Sequence, residues 1–173
     1  MKKSPLLLLV CILLCSNLSF AQTFEKTTQW LSRQLNQLVK EDKSKSLKVN
    51  DKESIPTFNF KGCQMNMNID AKSDNKDFNL GINMSWLLKD VQKVSYTREK
   101  EGGYELKLLV PADRMKMTMG FGHDNSLTGS FNLKDEDKGD SKTNFTLHTQ
   151  NEDLVKQVVQ KFEESVRTCR NSK

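Results

Sequence analysis

The sequence predicts an α+β domain: an N-terminal helix, an antiparallel curved sheet or partly open barrel of about seven strands, and a C-terminal helix that closes it. Three observations carry that reading. Apolar residues recur at three- and four-residue steps near both ends of the chain, the period of a helix with one buried face. Between Pro56 and Thr149 they alternate with polar residues, the period of a strand with one wet face. Two cysteines, Cys63 and Cys169, share the apolar parity of an early strand and of the last helix, so both point toward one core.

Met1-Lys2-Lys3 is a short positive segment, and Leu6 to Leu14 is an apolar run. Ser19-Phe20-Ala21 then sets small residues at the −3 and −1 positions of a cut before Gln22. This layout predicts a secretory signal peptide over residues 1–21, cleaved after Ala21. A membrane-spanning helix needs about 20 apolar residues, and Ser16, Asn17 and Ser19 interrupt this one first. Cys11 follows Val10 and Cys15 follows Leu14, so neither has the small preceding residue that lipid attachment needs. The start and the Phe-Ala-Gln junction look like those of exported bacterial proteins. The mature chain is therefore expected in the periplasm or outside the cell, without stable membrane insertion.

Cleavage leaves about 150 residues, enough for one hydrophobic core. The formal charge of +5 falls by two, since only Lys2 and Lys3 leave. The remaining acids and bases are interleaved, which gives no field suited to nucleic acid. Cys11 and Cys15 depart with the signal. In an oxidising compartment the isolated pair Cys63 and Cys169 reads as a disulfide between an early strand and the last helix. The alternative is two buried thiols.

The N-terminal helix is predicted over 22–42. Phe24, Thr28, Leu31, Leu35 and Leu38 form its stripe, with Val39 beside them and Trp30 flanking. Residues 43–55 read as a charged, solvated linker. The β-sheet domain with its C-terminal helix occupies 56–173. Phe58 and Phe60 share one parity; after Lys61-Gly62 the parity shifts to Cys63, Met65, Met67 and Ile69, which predicts a bulge or sharp bend at the glycine. Alternation continues through Leu80–Leu88, Val94–Tyr96, Tyr104–Val110, Met115–Phe121, Leu127–Leu133 and Phe145–Leu147. Asp74-Asn75, Gly102-Gly103, Asp124-Asn125 and Lys138-Gly139 punctuate the runs. Asn151 is placed to cap the final helix, with Glu152 and Asp153 at its positive end.

From Phe58 to Cys169 this plan resembles the pleckstrin-homology-like superfold. The ending NFTLHTQNEDLVKQVVQKFEESV is similar to that fold's last strand and closing helix. The resemblance is one of architecture, and it implies a fold, not lipid signalling. The chain departs from it in two places. The closing helix carries Phe162 where such domains usually have a tryptophan, and the segment after Ile69 mixes Lys72 and Lys76 with Asp70, Asp74 and Asp77. A lipocalin-like barrel with an interior cavity is the other fold reading.

Chemistry is sparse. His123 in a turn and His148 at a strand end read as surface residues, and no Gly-x-Ser-x-Gly, Cys-x-x-Cys or His-x-x-x-His spacing accompanies them. The acidic run Asp135–Asp140 reads as a solvated turn. No catalytic residue and no cofactor is assigned. The methionines stand out: Met65, Met67, Met115, Met117 and Met119 alternate on strands, with Met84 nearby. Thioethers suit a soft ion such as Cu(I). Methionines two apart on one strand, however, stand about 7 Å from each other, so a site needs partners from a neighbouring strand. Packing of an irregular core is the competing role. The sequence thus points to a non-catalytic exported module that binds a protein or an apolar ligand. A Cu(I)-binding protein and an unrecognised hydrolase using His123 or His148 are the alternatives.

Overall fold

The computed structural model describes residues 5–39, 48–49, 52–53, 55–72, 79–100, 102–121, 127–132 and 142–172, with the backbone alone for 5–21, 48–49, 52–53, 71–72, 79–80, 121, 127–132, 142 and 144. Helix α1 spans Pro5–Leu38. Strands follow as β1 (Lys48–Val49), β2 (Lys52–Glu53), β3 (Thr57–Lys61), β4 (Gln64–Lys72), β5 (Asn79–Leu87), β6 (Lys93–Arg98), β7 (Tyr104–Leu109), β8 (Lys116–Phe121), β9 (Leu127–Asn132) and β10 (Lys142–Leu147). Helix α2, Glu152–Asn171, closes the chain. The predicted α+β class holds, as do the two helices and the antiparallel pairing throughout.

The strands form two larger sheets. One has five strands in the order β3-β4-β5-β8-β9, the other three in the order β10-β7-β6. The chain leaves the first sheet after β5 through a short 3-10 turn, Leu88–Asp90. It makes the β6–β7 hairpin and returns through Pro111 and a second 3-10 turn, Ala112–Arg114, to pair β8 with β5. Pro111 has no N–H to donate to a ladder, which suits the exit from β7. Gly102 and Gly103 in the hairpin have φ of 93° and 95°. A Cβ on Gly103 would also lie 3.0 Å from the Leu147 carbonyl oxygen, so this close approach to β10 requires glycine.

The parity shift near Gly62 resolves as a hairpin. Lys61 pairs with Gln64, leaving Gly62-Cys63 as a two-residue turn, with Gly62 at φ 53°. Phe58 then faces Met67 and Phe60 faces Met65 on one side of the sheet. Cys63 thus sits in the turn and not within a strand. Its bond to Cys169 is formed. The same corner is tied twice more. The Leu88 N–H donates to the Cys63 carbonyl at 2.8 Å, and the Arg170 guanidinium donates to the carbonyls of Lys89 and Val91.

Three boundaries differ from expectation, the first being the start of α1 at Pro5 and not at 22. Helix α1 ends at Leu38, short of 42, and Val39 just beyond it donates its N–H to the Leu35 carbonyl and is buried in the core. That end is held tertiarily, since the His148 N–H donates to the Leu38 carbonyl at 2.7 Å. Part of the expected linker forms the β1–β2 ribbon, whose register sets Lys48 opposite Glu53. At α2 the expected cap is present: the Asn151 side chain accepts from the Leu154 N–H at 3.1 Å.

One core unites the parts. Leu31 and Leu35 from α1, Met65 and Trp86 from the larger sheet, Leu106, Leu108 and Leu147 from the smaller, and Val155, Val158 and Phe162 from α2 are all buried. Edge-to-face contact of Phe58 with Phe145, centroids 5.0 Å apart, joins the two sheets. Among residues with described side chains, no helix is long and apolar enough to cross a membrane.

Candidate functional site

β3 is an edge strand, and an edge strand leaves outward N–H and C=O groups without a partner. In an antiparallel ladder these groups belong to alternate residues, here Phe58 and Phe60. Helix α1 answers the first of them. The Asn36 amide accepts from the Phe58 N–H at 2.7 Å and donates to the Phe58 carbonyl at 3.1 Å. One side chain thereby takes the place of a neighbouring strand. Ser32, one turn earlier, donates to the same carbonyl at 2.6 Å.

Two residues further along, β3 and α1 diverge. The space between them is an open groove of about 670 Å³, lined by Phe24, Gln29, Arg33, Gln37, Asn59 and Phe60 among others. Amide, hydroxyl and charged side chains stand around it, but most of its exposed lining is apolar, with Phe24 and Phe60 as the aromatic surfaces. The hydroxyls nearby are engaged: Thr28 donates to the carbonyls of Phe24 and Glu25, and Ser32 to Phe58.

The methionines lie on the same apolar side of the larger sheet as Phe58 and Phe60. Met65 is fully buried opposite Trp86, and Met115 is 2 % exposed with its sulfur 3.7 Å from the Thr143 hydroxyl. These two are core. Met67, Met84 and Met117 stand directly opposite one another across β4, β5 and β8, and Met119 lies one step further along β8. Met84, Met117 and Met119 are half-buried. The reverse face of the same strands is polar, with Asn66 donating to Asn59 at 3.1 Å and Asn83 bonded to Asn68.

His148 has an exposed side chain just beyond β10. His123 and the acidic run 135–140 lie outside the described residues. No group of three or more His, Cys, Asp or Glu able to hold a metal exists among the described residues. An electrostatic cluster with shifted titration joins α2 to β6. The Tyr96 hydroxyl donates to Glu152 at 3.0 Å, and Lys156 bonds the same carboxylate at 3.2 Å. Lys156 first, and Tyr96 second, hold the Glu152 carboxyl below the usual carboxylate range. A depressed folded pKa stabilises the protein above the ordinary glutamate range, and this contribution is lost as pH falls through the folded value. Tyr96→Phe is expected to move the Glu152 titration upward, read by carbon-13 NMR of the side-chain carboxyl; an unmoved titration contradicts the contact.

The groove was not named from the sequence. Its signal was present, since Ser32 and Asn36 sit one residue after Leu31 and Leu35 and so flank the buried stripe. Only the register of β3 reveals that they meet an edge. Asn36→Ala is expected to cost about 1–3 kcal/mol, because it leaves the Phe58 N–H facing the helix without an acceptor. Urea unfolding measures this, and an unchanged midpoint would mean that water replaces the amide.

Compared with family models, curated proteins and solved structures, the chain matches none.

Proposed function

We propose that this chain is a non-catalytic binding module of the exported class, and that its ligand is an extended peptide segment held in the groove between α1 and β3. The observation that supports it is the edge of β3. Phe58 is satisfied by Asn36, while the outward backbone groups of Phe60 border an open groove. An extended backbone supplies the matching donor and acceptor, the basis of strand addition at a sheet edge. The lining suits a peptide, since Gln29, Arg33, Gln37 and Asn59 offer polar contacts while its larger apolar part, with Phe24 and Phe60, takes one or two side chains. A groove of this size also falls within the range of about 300–1,000 Å³ common for ligand sites. The engaged hydroxyls of Thr28 and Ser32 argue against nucleophilic chemistry there.

Export through a signal ending at Ala21 belongs to the same reading. The Cys63–Cys169 disulfide supports it, because such bonds persist in oxidising compartments. Mass analysis of the protein recovered after expression in an exporting host is expected to show a chain that begins at Gln22.

Selection from a displayed random-peptide library tests the groove. Enriched peptides are expected to bind the chain at least tenfold more weakly when Gln29→Trp, a change at an exposed position, fills the groove. Failure to enrich any peptide, or equal binding by this variant, would sink the proposal.

A further inference from the structure

The geometry points to a second site, which we propose is a thioether site for a soft monovalent cation, Cu(I), formed by Met67, Met84 and Met117. A row of methionines along one strand cannot share an ion, because neighbours on one face are about 7 Å apart. A row across strands is different. Met84 on β5 stands opposite Met67 on β4 and opposite Met117 on β8. Residues directly opposite in an antiparallel pair have Cβ atoms about 4.5–5.5 Å apart. The long unbranched side chain of methionine covers the remaining distance, so the outer two sulfurs can lean toward Met84. Met84 is thus the centre of the site.

Three further features fit this ion. Thioethers are soft ligands, and soft ligands select Cu(I) over Mg²⁺ or Ca²⁺. They are also neutral, so a bound cation keeps its charge and cannot be buried in a dry core without large cost. Met67, 8 % exposed, belongs to the edge of the core, but Met84 and Met117 are half-buried, so an ion held by these two is not sealed from water. Met65 and Met115, by contrast, are 0 % and 2 % exposed and serve as packing. The site lies on strands of the rigid sheet and shares no residue with the groove beside α1.

Silver(I), a redox-inert analogue of Cu(I), is the probe. Titrated into the full chain with methionine methyl groups carbon-13 labelled, it is expected to bind one per chain. The methyl signals of Met67, Met84 and Met117 move, and those of Met65 and Met115 do not. Affinity is expected to stay constant between pH 5 and 8, since thioethers do not titrate there; a site built on histidine would weaken below about pH 6.5. Met84→Leu and Met117→Leu conserve volume and are each expected to weaken binding at least tenfold, while Met115→Leu stays within twofold. Binding no tighter than to an unfolded methionine peptide overturns the proposal. So does retained affinity in both row variants, equal loss in Met115→Leu, or the histidine-like pH dependence.

Discussion

Reducing the Cys63–Cys169 bond is expected to lower the free energy of unfolding by about 2–4 kcal/mol. The two cysteines are 106 residues apart, so the bond closes most of the domain into one loop. The chain-entropy relation gives close to 5 kcal/mol for a loop near 100 residues, and observed stabilisation is commonly smaller. The native corner should survive reduction. Arg170 still reaches the carbonyls of Lys89 and Val91, and Leu88 still donates to Cys63. The loss therefore comes mainly from a freer unfolded chain. Urea titrations of the oxidised protein and of the Cys63→Ser, Cys169→Ser double variant measure it. A difference below about 0.5 kcal/mol would show that the unfolded state is already compact around that corner.

Phe162→Ala is expected to cost about 3–5 kcal/mol. Phe162 is fully buried on α2 and lies 6.1 Å, centroid to centroid, from Phe60 of the edge strand. The cavity would open where the closing helix, the hairpin and α1 meet. The disulfide ties the hairpin to α2 and strand pairing holds β3, which limits collapse into the space. Val159→Ala, one helical step away and half-buried, serves as comparison and should cost roughly 1 kcal/mol or less, in line with its smaller buried surface. Equal costs at the two positions would place the core differently from the arrangement described.

Period and punctuation carried most of the fold. The alternation of Tyr104, Leu106 and Leu108 is the alternation of buried positions in β7, and the stripe from Val155 to Cys169 is the buried face of α2. Asn151 announced its cap in the same way. Pairing order was less legible. Nothing local to β5 says that it pairs with β8 and that β6 and β7 form another sheet with β10; each of these strands has the same wet and dry faces, and the choice is made by long-range packing. The same limit applies to the sites. The methionines were visible as a composition signal, but along-strand spacing grouped Met65, Met67, Met115, Met117 and Met119 with Met84 only nearby, while register makes Met84 the centre. Asn36 and Ser32 are ordinary helix residues until β3 is known to be an edge. Turn geometry explains the remaining difference: a two-residue hairpin at Gly62-Cys63 preserves one apolar face across β3 and β4 while reversing apparent parity in the sequence.

The binding role of the groove rests on whether a backbone occupies the space beside Phe60. Nitrogen-15 NMR titration with the tightest peptide from the library measures this most directly. The largest shifts are expected on the Phe60 and Gly62 amides and the Gln37 side chain, and exchange of the Phe60 amide with solvent is expected to slow at least tenfold. Shifts gathered on β6, β7 or the methionine row, with the Phe60 amide exchanging at its free rate, would contradict it.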